Sequence, residues 1–232
     1  MSNELKVLRT EKKYSLSVLE AETIFYRLSK VLEGDPFHGN EAYMVRSLYF
    51  DTIYNDDYWD KLDGLNKRQK IRLRIYDTTE NVAKLEIKEK QGNTQLKRSL
   101  VVTREEAQAL QNSDYSVLLN HEGELAEELY NLMTTKMYAP ACIVEYQRKA
   151  FALFTNDIRI TFDSKISSNE GNFDIFDEKL FTYPVTSLDT VIMEIKYNGF
   201  LLSYIKALVN SCDSREESNS KYCLARKYGF NQ

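Results

Sequence analysis

From Lys67 to Val102 charged and apolar residues alternate, the period of two that sends successive side chains to opposite faces of a strand. In KRQKIRLRIYD, Arg68, Lys70, Arg72, Arg74 and Tyr76 share one face, with Ile71, Leu73 and Ile75 on the other. The run VAKLEIKEK sets Lys84, Glu86, Lys88 and Lys90 against Ala83, Leu85 and Ile87. After the turn signal Gly92-Asn93, TQLKRSLVV sets Lys97 against Leu96, Leu100 and Val102. This pattern predicts a meander of three antiparallel strands. Further strands are expected at 5–14, where Arg9, Glu11 and Lys13 share a face, and at 44–51, 142–151, 157–165 and 190–197. The last three are rich in β-branched and aromatic residues, and the total is eight.

Helical spacing takes over between them. SVLEAETIFYRLSKVLEG opens on the capping-box pair Ser17 and Glu20 and is expected to run to Gly34. A second box, Thr103 and Glu106, opens another helix, and 122–135, 200–210 and 217–228 have helical character, as does the short stretch NDDYWDKLDG. No linker, low-complexity tract or repeat divides the 232 residues, so one α+β domain spanning 1–232 is expected.

Composition narrows the class. With 43% hydrophobic, 28% charged and 12% aromatic residues, the chain is built like a folded soluble protein. It has no apolar run of membrane-spanning length and no signal-peptide core at its start, so a cytoplasmic location is expected. Three cysteines, Cys142, Cys212 and Cys223, match no disulfide or zinc spacing, and two histidines make a histidine metal site a poor fit. A metal, if used, would be held by oxygen.

Charge changes the picture further. The net charge is −4, yet residues 67–98 carry ten cations against four acids. An alternating charged face is ordinarily a solvated one, and such a face mixes its signs. Here it is overwhelmingly cationic, with single acids set between cations, as in Lys84-x-Glu86-x-Lys88. If about eight strands close into a barrel flanked by helices, the cations line a tunnel, an arrangement unfavourable unless a polyanion or water fills it. Gly-rich phosphate loops, nucleophile elbows and paired Cys/His residues are missing from the sequence. The equipment left is Lys and Arg for phosphate oxygens and a few carboxylates for Mg2+ or Mn2+, suited to phosphoryl transfer by positioning and electrostatics. The basic strands lack the paired aromatics that stack exposed bases, so a nucleic acid is not the expected partner.

An ordered set of short matches carries a resemblance over nearly the whole chain. It comprises Arg9-x-Glu11-Lys12-Lys13-Tyr14, Ser47-Leu48-Tyr49-Phe50-Asp51, Arg72-x-Arg74, Glu86-x-Lys88, Lys97, Tyr146-x-Arg148-x-x-Phe151, Arg159-x-Thr161-x-Asp163, Glu194-x-Lys196 and Ser220-Lys221-Tyr222. In these the sequence resembles the catalytic domain of the vacuolar transporter chaperone group, the polyphosphate polymerases of the triphosphate tunnel metalloenzyme superfamily. The resemblance implies an antiparallel tunnel barrel that transfers the γ-phosphate of a nucleoside triphosphate such as ATP to a growing polyphosphate chain, with Mn2+ or Mg2+. It implies Lys13, Arg72, Arg74, Lys88, Lys97 and Lys221 as catalytic phosphate binders, joined on the substrate by Arg9, Arg148, Arg159 and Lys196. It implies Glu194 as metal ligand; Glu11 and Glu86 come second, because a carboxylate between two cations can serve only to fix them. Hydrolytic relatives begin Glu-x-Glu-x-Lys, whereas Arg9 stands first here, which favours the polymerase branch. The eukaryotic members add a regulatory domain and membrane helices; the expectation here is a freestanding member without membrane insertion, working with a separate membrane partner. A tripolyphosphatase or polyphosphatase on the same tunnel, and a non-catalytic polyanion-binding module, are the alternatives.

Several residues have plainer readings. Trp59 is read as packing rather than as an adenine platform, and Tyr49 and Phe50 as packing. Asp51 and Asp163 are balanced between metal ligand and turn cap. Cys142 is read as a small buried apolar residue and Lys149 as a surface charge.

Overall fold

The computed structural model describes residues 9–36, 38–92, 94–209, 216–218 and 220–227. In chain order the elements are β1 (Arg9–Ser17), α1 (Val18–Leu28), β2 (Tyr43–Thr52), α2 (Asp56–Leu62), β3 (Lys67–Ile75), β4 (Val82–Gln91) and β5 (Thr94–Thr103). They continue with α3 (Arg104–Gln111), α4 (Glu124–Thr135), β6 (Tyr138–Leu153), β7 (Ile158–Asn169), β8 (Tyr183–Pro184), β9 (Thr190–Asn198), α5 (Ser203–Val209) and α6 (Lys221–Arg226). Every expected strand is present, and the two-residue β8 is an addition too short to leave a period in the sequence. The predicted positions 5–8, Asn93 and Cys212 lie outside the described residues.

The hydrogen-bonded order is β1-β9-β7-β6-β2-β3-β4-β5, with β8 on β7. This makes a nine-stranded sheet whose registered pairs are antiparallel, in an α+β fold. Among the described residues the order is a path ending at β1 and β5, and the closed ring expected from the sequence is not part of it. The chain forms two compact units, one of residues 1–44, 146–166 and 184–220, the other of residues 45–145, 167–183 and 221–232.

In the first unit β1 pairs with β9 from Arg9↔Asn198 to Ser17↔Thr190, and β9 pairs with β7 from Arg159↔Lys196 to Asp163↔Ile192. Alternation puts Tyr14, Leu16, Ile160, Phe162, Met193 and Ile195 on one face, where they pack with Ile24 and Leu28 of α1 and Ile205 and Val209 of α5. The capping box forms as predicted: the Ser17 N–H donates to Glu20 Oε2 at 2.8 Å and the Glu20 N–H to Ser17 Oγ at 3.3 Å. The helix ends at Leu28 instead of Gly34. The Leu32 N–H donates to Leu28 O (2.8 Å), and Gly34 serves a different need, since a Cβ there would lie 2.4 Å from the carbonyl carbon of Gly39.

In the second unit β2, β3, β4 and β5 form a four-strand run with registers Leu48↔Leu73, Leu73↔Leu85 and Leu85↔Leu100. These residues, with Phe50, Ile71, Ile75 and Ile87, make a core under Ala107 and Leu110 of α3 and Leu129 and Met133 of α4. The box at Thr103 and Glu106 forms here too (2.8 and 3.2 Å). Cys142 is fully buried, as read from sequence. Trp59 is not: it is 45% exposed and meets Tyr58 edge-on, because the amphipathic helix α2 turns Asp57 and Tyr58 inward instead.

Candidate functional site

With the leucine rows committed to the core, the alternate residues of β2–β5 share the opposite face. There Arg72 lies across from Glu86, Arg74 from Lys84, and Lys70 from Lys88, which in turn lies across from Lys97. Like charges directly opposed on neighbouring strands repel, and the row Lys70, Lys88, Lys97 concentrates positive charge on this face.

Glu86 is the one acid among these six cations. It is 2% exposed, and its Oε2 accepts from Arg72 Nε at 2.7 Å, with Arg74 NH1 at 3.8 Å and Lys97 Nζ 2.5 Å from Oε1. Burial pushes its carboxyl up, but Arg72, Arg74 and Lys97 outweigh burial and hold it at about 2. Lys97 is pulled below its ordinary value, first by lost hydration and then by Arg72 and Arg74, against the attraction of Glu86. Arg72 also donates from NH1 to the Tyr49 hydroxyl (3.0 Å), and Arg74 from Nε to Ser47 Oγ (3.3 Å). Burial alone would raise the Tyr49 hydroxyl; Arg72, Arg74 and Lys70 hold it below the usual phenol range. Tyr76 is lowered in the same way, with Arg74 and Lys84 overcoming burial.

Lys221 is the first residue of α6, and the helix is held against this unit by its neighbours. The next residue, Tyr222, stacks on Tyr49 with centroids 5.1 Å apart, and Lys70 Nζ stands 5.6 Å from its ring centre. Its hydroxyl donates to Asp51. Arg226, at the other end of the helix, donates to Asn55 Oδ1 and Glu170 Oε2, both at 2.8 Å.

The first unit carries a face of its own. Register sets Lys13 across from Glu194, Glu11 across from Lys196, and Glu194 across from Thr161. Lys196 Nζ is 2.7 Å from Glu194 Oε1 and 4.0 Å from Glu11 Oε2, while Lys13 Nζ is 3.1 Å from Glu11 Oε1. Burial lowers Lys196, with the two carboxylates pulling the other way. Arg148 donates from Nε (2.6 Å) and NH2 (2.7 Å) to the two oxygens of fully buried Asp163, with Glu194 adding to the negative field that holds its charge well above the ordinary range against burial. Arg159 donates from NH2 to Asp35 Oδ2 (3.1 Å) and the Tyr43 hydroxyl (3.3 Å).

The predicted residues thus fall into two sets. Lys70's neighbours Arg72, Arg74, Lys88 and Lys97 gather round Glu86, with Lys221 on α6, in one unit; Lys13, Arg148, Arg159, Lys196, Glu11 and Glu194 gather in the other, where Arg9 lies on β1 across from Asn198. Asp51 and Asp163 prove to be partners of protein groups, Asp51 of three backbone N–H groups and Tyr222, Asp163 of Arg148. Lys149 pairs with Glu22 at 2.9 Å, away from both sets. Ser47, Tyr49 and Asp35 were not singled out as site residues; the alternation of Ser47 and Tyr49 with Leu48 and Phe50 carries that signal for the first two, and nothing local does for Asp35.

Among the described residues no group of three or more His, Cys, Asp or Glu side chains can hold a metal by itself. A hard divalent cation bound through one or two carboxylates and completed by phosphate oxygens is a different demand; the carboxylates nearest one another on this face are Glu194 and Glu11, both within 4.0 Å of Lys196 Nζ. Glu86 is held by Arg72 and Lys97 at 2.7 and 2.5 Å, one on each oxygen, closer than the lysines lie to Glu11.

The profile of the VTC domain matches residues 8–230. No curated protein matches the chain. Among solved structures, a putative adenylate cyclase from Bacillus halodurans is similar, at 14% identity over 86% of this chain and 84% of that one with a TM-score of 0.50, a likeness of fold. A protein from Pyrococcus horikoshii OT3 aligns over 94% of this chain and 99% of its own at 13% identity and a TM-score of 0.46.

Proposed function

Since the chain belongs to the VTC-domain family, we propose that it is an ATP-dependent polyphosphate polymerase. The observation that carries the reading is the face around Glu86. Six cations surround one buried carboxylate, and three of them stand abreast, an arrangement relieved by a bound polyanion. In this reading the cationic face of β2–β5 is a phosphate-binding wall of the kind the family uses.

A terminal oxygen of the polyphosphate chain attacks the γ-phosphorus of the nucleotide, the bond from that phosphorus to the β–γ bridging oxygen breaks, and ADP leaves with the electron pair. The protein's work is to hold the two anions in line and to offset the charge on their oxygens. Arg72 and Arg74, two positions apart on one strand, donate to the same triphosphate from one side, their planes fixed by Glu86, Tyr49 and Ser47. Lys70, Lys88, Lys97 and Lys221 supply point charges to phosphate groups in one unit, and Lys13, Arg148, Arg159 and Lys196 supply them in the other. Glu194 with Glu11 would hold a divalent cation, Mn2+ or Mg2+, which would supply electrostatic stabilisation of the charge that develops in transfer. A separate membrane protein as partner belongs to this reading; no described helix is long and apolar enough to cross a membrane.

The test is to incubate the purified protein with ATP and Mn2+ and to separate long polyphosphate from free phosphate. Polymer with stoichiometric ADP, abolished by chelation, is the expected result. Free phosphate without polymer makes the protein a phosphohydrolase, and neither product makes it a polyanion-binding module.

A further inference from the structure

Thr161 lies in the middle of β7, where Val or Ile would pack as well and bring no polar atom with it. It is 4% exposed, and its Oγ1 is buried with no hydrogen-bond partner among the described residues. A hydroxyl left so is unfavourable. Two positions earlier on the same face, Arg159 shows the same condition: NH2 is fixed on Asp35 and Tyr43, while its buried Nε has no partner. Both atoms are hydrogen-bond donors, and side chains two apart on a strand are neighbours on one face.

Their surroundings define what they wait for. Thr161 lies directly across from Glu194, which engages Lys196 at 2.7 Å, and Arg159 lies across from Lys196. A neutral apolar ligand would leave both donors unmet, and a bare cation offers no acceptor to the Arg159 Nε–H. An anion with several acceptor oxygens meets both at once.

We propose that the Thr161 hydroxyl and the Arg159 Nε–H donate to oxygens of one phosphate group, which makes Thr161 a substrate-contacting residue of this unit. The proposal rests on the polyphosphate reading above and adds to it a neutral donor among the cations. A hydroxyl can fix the rotation of a phosphate group that point charges leave free.

The experiment uses the full chain without metal, in EDTA. Inorganic tripolyphosphate is titrated calorimetrically into wild type, Thr161→Val and Thr161→Ser, and ligand-free thermal unfolding is recorded for each. Valine keeps the shape and removes the hydroxyl, so its affinity falls about tenfold, while its ligand-free Tm stays equal or rises because an unmet polar atom has gone. Serine restores the affinity to within about twofold of wild type, since it keeps the donor. Wild-type binding that Thr161→Val leaves unchanged overturns this inference alone. So does a ligand-free Tm lowered by more than about 5 °C in Thr161→Val, because the hydroxyl then has a structural partner. Wild type that binds no tripolyphosphate overturns the polymerase reading and the inference with it.

Discussion

The hydroxyl of Tyr222 donates to the carboxylate of Asp51 across 171 positions of sequence. The same carboxylate accepts the backbone N–H groups of Thr52 (2.8 Å), Asp57 (3.0 Å) and Tyr58 (3.0 Å). Asn55, the residue at the N-cap of α2, makes no side-chain cap, so Asp51 satisfies that helix end from a distance. One buried carboxylate therefore secures α2 and α6 together.

Tyr222→Phe keeps the ring on Tyr49 and removes the donor, and should cost about 1–3 kcal/mol in urea unfolding. Asp51→Ala should cost more, since it also leaves the α2 amides without an acceptor. Equal losses in the two variants would show that the cap contributes nothing beyond the tyrosine bond.

Asp57 gives the fold a pH dependence of uncommon sign. It is 3% exposed and accepts from the Tyr138 hydroxyl at 3.0 Å; burial, then the neighbouring Asp51 charge, pushes its carboxyl up to about 8 from an ordinary 3.8. Between these values the folded chain holds a proton that the unfolded chain has released, so this group's contribution is full below pH 3.8 and declines as pH rises towards 8. The expected outcome is a wild-type Tm that drops over that window more than the Tm of Asp57→Asn, measured as parallel melts at each pH. Parallel curves would mean that Asp57 is ionised in the folded chain.

Glu86 acts in the opposite direction. Its carboxyl is held at about 2 against an ordinary 4.5, so its contribution is full above pH 4.5 and is lost as pH falls through 2. Glu86→Gln should flatten this acid limb while leaving the Asp57 window in place. An acid limb as steep in the variant as in wild type would assign it to other carboxylates.

Arg72 and Leu73 are adjacent and face opposite ways, one to Glu86 and one into the core. Arg72→Ala should weaken tripolyphosphate binding by about one to two decades. Leu73→Ala, which empties a fully buried position, should cost about 2–5 kcal/mol of stability with little effect on affinity at a temperature where it remains folded. Exchange of the two phenotypes would place the ligand on the wrong face of β3.

Glu194 divides metal binding from charge neutralisation. Glu194→Gln should remove the increment that Mn2+ adds to triphosphate affinity, together with most turnover, while metal-free binding is kept or tightened by the loss of a negative charge. A variant with wild-type, metal-dependent turnover would move the metal to Glu11.

The strand phases, the two capping boxes and the split of Arg72 from Leu73 were legible in the sequence because each depends on residues within four positions of one another. A period of two fixes which side chains share a face, and a Ser or Thr three residues before a Glu fixes where a helix begins. What each charge on those faces does was decided only in three dimensions. Asp51 and Asp163, evenly balanced between metal ligand and cap, became the partner of Tyr222 and of Arg148 through strand pairing and the return of α6. Tyr49 looked like packing beside Phe50, and the neighbouring β3 brought Arg72 onto its hydroxyl. Asp35 sits in a loop without any period, and it holds Arg159 because Gly34 lets the chain close on Gly39. Local spacing sets the direction of a side chain; its partner is set by the register between distant strands, which is a property of the packed core.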